Sequence, residues 1–229
     1  LLMWQAVDKE IGISQLIKQA RLKVRGVPLD DLVQTLVIGV LEHRKSILAI
    51  WNYAQVALAK YIANGVEEAH LKNFYRALGK LGYGGKKLYR KMVDSFLQKY
   101  KIDISQLNLD WSSSYFTGTE CSLAELGYSR DHRPDKPQIK LGFAQINDIK
   151  IAFDFFDNRG NIPDVSEFSP TYLKIAERVP KGTLIVYDKG GSSEENNRLV
   201  AETGNYYLTA HKMSGRIKKK ILTINKTGM

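Results

Sequence analysis

The chain has 229 residues, of which 44% are hydrophobic and 10% aromatic, and its formal net charge is +10 at pH 7. This composition is too apolar for a disordered protein and supports one ordinary core or two small ones. A single cysteine, Cys121, excludes an intramolecular disulfide and a zinc site built from several cysteines. No apolar run approaches the ~20 residues of a membrane helix, and the first residues lack a signal-peptide pattern. We therefore expect a folded cytoplasmic protein with no membrane partner.

Charge is distributed unevenly along the chain. Residues 1–100 carry 16 Lys and Arg against 8 Asp and Glu, residues 101–211 carry 12 against 16, and residues 212–229 carry 6 against none. Basic segments can bind nucleic-acid phosphates, and an acidic centre is what a divalent metal ion requires. For the N-terminal part, a solvated surface with chance asymmetry remains the alternative.

The first 100 residues have the pattern of a helical domain. Apolar residues recur at helical spacing from Leu32 to Ile62, and prolines are absent from this domain after Pro28. Breaks are predicted at 26–28 and at Gly65. This part is predicted to be a helical bundle that binds DNA.

Within this domain, a helix is predicted over 67–81 and is expected to end at the glycines of 82–85. It places three cations on one stripe, Lys72, Arg76 and Lys80, opposite Leu71, Tyr75, Leu78 and Leu81. A stripe of this kind can contact DNA as a recognition helix does. It can also serve solubility alone, and both interpretations remain open.

From residue 101 the pattern changes to strands. The predicted order is β-β-β-α-β-α-β, with strands at 107–116, 138–146, 150–156, 183–188 and 205–209 and helices at 167–179 and 193–203. In the ribonuclease-H-like layout, three antiparallel strands are followed by a helical crossover that brings the fourth strand beside the first. The expected fold class is therefore α+β, a helical bundle at 1–100 followed by a ribonuclease-H-like mixed sheet flanked by helices at 101–211. Residues 212–229 are expected to be a basic tail or the start of a missing insertion.

Two carboxylates fall at corresponding places in this layout. Asp110 lies on the first strand and Asp188 at the end of the fourth. Because neighbouring strands are ~4.8 Å apart, the two can share a metal ion. Two Mg²⁺ ions held by clustered carboxylates activate a nucleophile and stabilise a leaving oxygen in phosphoryl transfer on DNA. The alternative is that each Asp is only a turn or cap residue.

One long motif carries a resemblance to a known family. The stretch Gly127–Gly142 reads GYSRDHRPDKPQIKLG and resembles the signature of prokaryotic insertion-sequence transposases of the DDE type. Three other stretches agree with that family in order, and they read DWSSSYF from Asp110, GNIPD from Gly160 and DKGGSSEEN from Asp188. The resemblance covers roughly residues 60–211.

The resemblance implies a site and partners. It makes Asp110 and Asp188 catalytic ligands of Mg²⁺ (or Mn²⁺) in a site that cleaves transposon ends and joins them to target DNA. The implied partner is double-stranded DNA of transposon ends, and family members usually act as dimers on paired ends. Physical reasoning adds Arg130, His132 and Arg133 as phosphate-binding residues. A charged turn tied by internal ion pairs remains the alternative for that loop.

The sequence also departs from the family pattern. The family's third acid is a Glu on a helix after the fifth strand, whereas the last carboxylate here is Glu202. We therefore expect an N-terminal fragment with an incomplete site. Glu194 and Glu195 serve the start of a helix or act as substitute ligands. Two functions remain in view: a fragment of a DDE transposase, and a non-catalytic DNA-binding module derived from one.

Overall fold

The computed structural model describes residues 2–20, 22, 26–58, 66–118, 120–129 and 132–211. The chain divides into two compact units, Leu1–Ile102 and Asp103–Met229. The predicted break at Gly65, the tail at 212–229 and the proposed phosphate-binding residue Arg130 lie outside the described residues.

The first unit is helical, as the apolar periodicity predicts. Its helices are α1 (Leu2–Ile11), α2 (Ile13–Gln19), α3 (Leu29–Leu41), α4 (Ile47–Tyr53) and α5 (Leu71–Tyr100), with a π-helical turn at Ala54–Leu58 and a 3₁₀ turn at Val66–Glu68. Its core is formed by apolar side chains from most of these elements, including Ile17, Leu32, Leu36, Ile50, Val66 and Phe74.

Local signals explain where two of these helices begin. The predicted break at 26–28 is confirmed, because Gly26 adopts a φ of 87° and α3 begins directly after Pro28. Asp30 in the first turn of α3 forms an ion pair with Lys18 at 3.0 Å. The side chain of Ser46 caps α4 by accepting a hydrogen bond from the Ala49 backbone N–H at 3.1 Å.

The predicted end of the helix at residues 82–85 is wrong. α5 continues through four glycines to Tyr100, for 30 residues in all. It buries Asn73, Phe74, Ala77 and Val93, whereas Tyr75 and Leu78, which were expected on the inner face, are 56% and 39% exposed. Burial of residues before and after the glycines stabilises the helix by more than the glycines weaken it.

The second unit is a five-stranded mixed sheet with helices. Its elements are β1 (Gln106–Tyr115), β2 (Gln138–Ile146), β3 (Ala152–Arg159), α6 (Asp164–Ala176), β4 (Leu184–Tyr187), α7 (Glu194–Glu202) and β5 (Tyr206–Thr209). This is the predicted order of elements, with α6 beginning three residues earlier than expected. Among the described residues of the chain, no helix is long and apolar enough to cross a membrane.

The strand order is β3-β2-β1-β4-β5. β1, β2 and β3 pair antiparallel, and β4 pairs parallel with both β1 and β5. The crossover through α6 therefore returns the chain beside its first strand, as the ribonuclease-H-like layout requires. The predicted α+β class, a helical bundle followed by this mixed sheet, is confirmed.

The sheet has two unlike faces. The first, here called the helix face, packs against α6: Phe168 lies 6.2 Å from Trp111 and 4.4 Å from Tyr187 between ring centroids. The second, here called the open face, carries the alternate residues and exposes 46% of Phe143 and 58% of Leu208. Strand alternation thus assigns each residue of β1 and β4 to one face or the other.

Candidate functional site

Asp110 and Asp188 lie side by side at the junction of β1 and β4. Leu109 and Tyr187 are Cα partners in the parallel register, and each Asp is the next residue along its chain. Leu109 is buried on the helix face, so Asp110 lies on the open face of β1, whereas Asp188 follows the last residue of β4. Both Asp110 and Asp188 are exposed. The fold therefore brings Asp188, at the end of β4, beside Asp110 on β1, whereas their sharing of a metal ion stays a prediction.

Each of the two carboxylates is oriented by its own backbone. Oδ1 of Asp110 accepts a hydrogen bond from the Trp111 N–H at 2.8 Å, and Oδ1 of Asp188 accepts one from the Lys189 N–H at 2.7 Å. The turn after β4 is closed by the Gly191 N–H donating to the Asp188 carbonyl oxygen at 3.0 Å. Within the described residues, Oδ2 of both carboxylates has no protein partner.

An aromatic cluster supports the site from the helix face. Trp111 directly follows Asp110 and Tyr187 directly precedes Asp188, and both rings pack on Phe168. A Cβ on Gly191 would lie 3.2 Å from Phe168 Cδ2, so the turn after Asp188 also rests on this cluster. Burial raises the pKa of Tyr187, whose hydroxyl donates to Asn197 Oδ1 at 2.6 Å. Both carboxylates are therefore attached to a fixed, packed base.

A buried ion pair reaches the same turn from another direction. Lys140 on β2 donates from Nζ to Asp164 Oδ1 at 2.6 Å and to the carbonyl oxygen of Ile162. The Lys140 side chain is 11% exposed and that of Asp164 24%. A Cβ on Gly190 would lie 2.9 Å from Asp164 Oδ2. Asp164 thus links β2 and the start of α6 to the turn that follows Asp188.

Two of the quoted motifs meet through their glycines. A Cβ on Gly127 would lie 2.4 Å from the Gly160 carbonyl oxygen, and a Cβ on Gly160 would lie 2.0 Å from the Gln138 carbonyl oxygen. Gln138 is fully buried and donates from Nε2 to the carbonyl oxygens of Arg133 and Lys136. The three backbones approach too closely for any side chain at either glycine.

The charged loop between β1 and β2 is tied internally at one of its predicted phosphate-binding residues. The Arg133 guanidinium donates two hydrogen bonds of 2.8 Å to Asp135 and stacks 5.4 Å from the Tyr115 ring centroid. This ion pair lowers the pKa of Asp135 to about 2. His132 is exposed and adopts a positive φ of 55°. The internal ion pair engages Arg133 in the way the charged-turn alternative requires, and the Arg133 side chain is still 42% exposed.

The predicted cations of the first unit lie as expected along α5. Lys72, Arg76 and Lys80 are exposed and recur every four residues, so they share one face of the helix. They form a basic surface on the first unit.

Few of the acidic residues could hold a magnesium ion. No group of three or more His, Cys, Asp or Glu side chains placed to hold a metal occurs in the described part of the chain. Glu194 and Glu195 lie in the first turn of α7, which Ser193 caps. Mg²⁺ is commonly held by one or two carboxylates together with substrate phosphates and water. Asp110 and Asp188, each with one oxygen that has no partner among the described residues, fit that requirement.

Asp164 was quoted from the sequence only within the stretch GNIPD, and no role was predicted for Lys140. A signal for it exists, because Gln138, Lys140 and Gly142 occupy the inward positions of β2, and a lysine there needs a partner. A cavity of about 310 Å³ lies at this corner, lined by Tyr128, Lys140, Asn161, Asp164 and Gly190 among others. The position of this cavity depends on the strand register, which no local sequence pattern reveals.

Comparison with known proteins gives structural matches only. No family model and no curated protein matches this chain. A cryo-EM structure of the piggyBac transposase synaptic complex with hairpin DNA matches at 13% identity over 88% of this chain, with a TM-score of 0.49. The Mos1 transposase paired-end complex with left transposon end matches at 9% identity over 81%, with a TM-score of 0.33. The chain spans 47% and 61% of those two proteins. Likeness at this level assigns no activity.

Proposed function

We propose that this chain is part of a DDE-type DNA transposase of the insertion-sequence kind. It binds double-stranded DNA of transposon ends and supplies two carboxylates of a metal site for strand cleavage and transfer. The observation that carries the proposal is the position of Asp110 on β1 and of Asp188 directly after β4, each one residue beyond the Cα partners Leu109 and Tyr187. The motif at Gly127–Gly142 supports the proposal, because it lies in the same unit: Gly127 packs against the Gly160 backbone, and Gln138 donates to the Arg133 carbonyl oxygen.

The two carboxylates would hold Mg²⁺ (or Mn²⁺) through their free oxygens. When bound, the metal supplies Lewis-acid stabilisation of phosphate oxygens and activation of a water or 3′-hydroxyl nucleophile. Asp110 and Asp188 orient that site because each is fixed by the following backbone N–H. Two exposed carboxylates give weak metal affinity, so DNA phosphates complete the coordination.

The cations supply the affinity for DNA. Lys72, Arg76 and Lys80 on α5, with Arg130 and Arg133, which precede β2 in the sequence, would contact phosphates, and His132 would donate a hydrogen bond to one. The proposal places this activity on DNA in the cytoplasm of a prokaryotic cell, with two copies of the chain on paired ends. Because phosphate contacts release counterions, binding should weaken steeply as salt rises.

A strand-nicking assay tests the catalytic part. The DNA is a labelled duplex of a transposon end, with Mg²⁺ or Mn²⁺, and binding is scored in the same samples. The variants are Asp110→Ala, Asp188→Ala and the control Asp157→Ala, which removes an exposed carboxylate two strands away on the same face. Nicking that is lost in the first two and kept in the control supports the proposal.

A second function is favoured by one observation. Because the described residues contain no group of three metal-binding side chains, the chain would instead be a non-catalytic DNA-binding module derived from a transposase. Binding without nicking in the same assay selects this second function. Absence of both binding and nicking overturns both.

A further inference from the structure

The exposed surface along α5 extends beyond the three cations that were predicted from the sequence. Exposed residues follow one another at intervals of four, four, three, four and four positions, which keeps them on one face of a helix. We call this the α5 surface, and its members are Lys72, Arg76, Lys80, Tyr83, Lys87 and Lys91. At a rise of 1.5 Å per residue it extends for about 28 Å.

The α5 surface is strongly cationic. The helix carries eight Lys and Arg against one acid, Asp94. Within the described residues, the five cations of the surface form no ion pair. Duplex DNA carries one negative charge per about 1.7 Å, and one helical turn is about 34 Å long. The surface therefore complements the phosphates of most of one turn of DNA in both charge and length.

Tyr83 at the centre of this surface is 96% exposed. Such a ring contributes nothing to the core of the unit, although an aromatic side chain is the largest apolar payload that a chain can bury. Aromatic side chains among cations are the pattern of proteins that stack nucleic-acid bases, since every base offers a π-face. A base inside an intact duplex is already stacked, so a ring on the outside of a helix can reach only an unpaired base.

Two glycines leave room beside this ring. A Cβ on Gly79, one turn before Tyr83, or on Gly82, its neighbour, would have no atom within 4 Å. Neither position therefore needs glycine for packing, and each costs helix stability relative to alanine. The missing side chains leave bare helix backbone around the phenol, which allows a flat group to lie against it.

We propose that the α5 surface binds DNA that carries an unpaired base, with the five cations on phosphates and the Tyr83 ring stacked on that base. This inference rests on the DNA binding of the proposed function and specifies the form of DNA. A frayed end, a flap or a single-stranded overhang provides such a base beside a duplex.

The test compares two fluorescent DNAs with the full chain. One is a blunt duplex, and the other is the same duplex with a short overhang that contains 2-aminopurine. Fluorescence anisotropy gives the affinity for each, and quenching of 2-aminopurine reports stacking directly. The variants are Tyr83→Ala and Tyr83→Phe, with Tyr75→Ala as the control, because Tyr75 is an exposed tyrosine of α5 outside the surface.

The unaltered chain is expected to bind the overhang at least about five-fold more tightly than the blunt duplex and to quench 2-aminopurine. Tyr83→Ala should lose both the preference and the quenching while retaining its affinity for the blunt duplex. Tyr83→Phe and Tyr75→Ala should keep both. Equal preference in Tyr83→Ala and the unaltered chain overturns the inference alone. Failure of the unaltered chain to bind either DNA overturns the proposed function as well.

Discussion

Lys140 Nζ lies 2.6 Å from Asp164 Oδ1, and the same carboxylate packs against Gly190, two residues after Asp188. One ion pair thus joins β2, the start of α6 and the turn that follows Asp188, a proposed metal ligand. Both side chains are largely buried, as are those of the Arg178–Asp154 pair, whereas the Arg198–Glu202 pair is exposed.

Removing one partner of this pair should destabilise the second unit. Lys140→Met removes the ammonium group that lies 2.6 Å from the Asp164 carboxylate, and we expect a loss of about 2 to 3 kcal/mol in the free energy of unfolding. Urea unfolding, monitored by hydrogen exchange of the β2 amides, measures this loss of stability. The double variant Lys140→Met with Asp164→Asn should recover part of the loss, because no unpaired charge remains.

The control for this prediction is Glu202→Gln, which breaks an exposed ion pair with Arg198 on α7. It should change stability by less than about 0.5 kcal/mol. A Lys140→Met variant as stable as Glu202→Gln would show that the buried pair does not hold the turn.

Glu167 is expected to make stability depend on pH in the direction opposite to most carboxylates. Burial raises its pKa, against the attraction of Lys140 and Lys174. Between the pKa of the unfolded chain and the higher folded value, the folded state holds more protons, so stability falls as pH rises through this interval. Glu167→Gln should therefore be more stable than the unaltered chain at pH 7.

Thermal unfolding at several pH values checks this prediction. The difference between Glu167→Gln and the unaltered chain should vanish below about pH 4, where the unaltered carboxyl is protonated in both states. The exposed control Glu120→Gln should show no such dependence. A Glu167→Gln variant that is less stable at pH 7 would contradict the account of its burial.

The motif glycines should tolerate no side chain. Gly160→Ala places a methyl group 2.0 Å from the Gln138 carbonyl oxygen, where only backbone can move aside. We expect a loss of about 3 kcal/mol or failure of the second unit to fold. Near-ultraviolet circular dichroism and the yield of soluble protein report this loss. The control is Ser112→Ala, at an exposed position of β1. Wild-type stability in Gly160→Ala would refute the close approach.

Gly79, on the outer face of α5, should behave in the opposite way. Gly79→Ala meets no atom within 4 Å and has helical backbone, so it should stabilise the first unit by about 0.5 to 1 kcal/mol. Far-ultraviolet circular dichroism during heating measures the gain. Gly84→Ala should gain less, because its methyl group would lie 3.0 Å from Leu22 Cδ1. No gain in Gly79→Ala would mean that α5 is not helical there in solution.

Local patterns predicted the sheet more accurately than they predicted α5. Strand alternation and the apolar run at 184–187 predicted the order of elements, and they predicted Asp110 on the first strand with Asp188 at the end of the neighbouring one. The glycines of α5 were interpreted as a helix end because propensity is local, whereas burial of Phe74 and Val93 on either side decides the outcome. The pairing of Lys140 with Asp164 joins residues 24 positions apart and depends on β2 register, so no local pattern contains it.

The most direct measurement is Mn²⁺ binding by electron paramagnetic resonance in the full chain and in Asp110→Asn, Asp188→Asn and Asp157→Asn. The account predicts that the unaltered chain and Asp157→Asn bind Mn²⁺ with similar affinity and that each of the other two variants loses at least ten-fold, on the order of the effect of removing one of two ligands. Unchanged Mn²⁺ affinity in Asp110→Asn or Asp188→Asn would contradict the claim that these two carboxylates share a metal site.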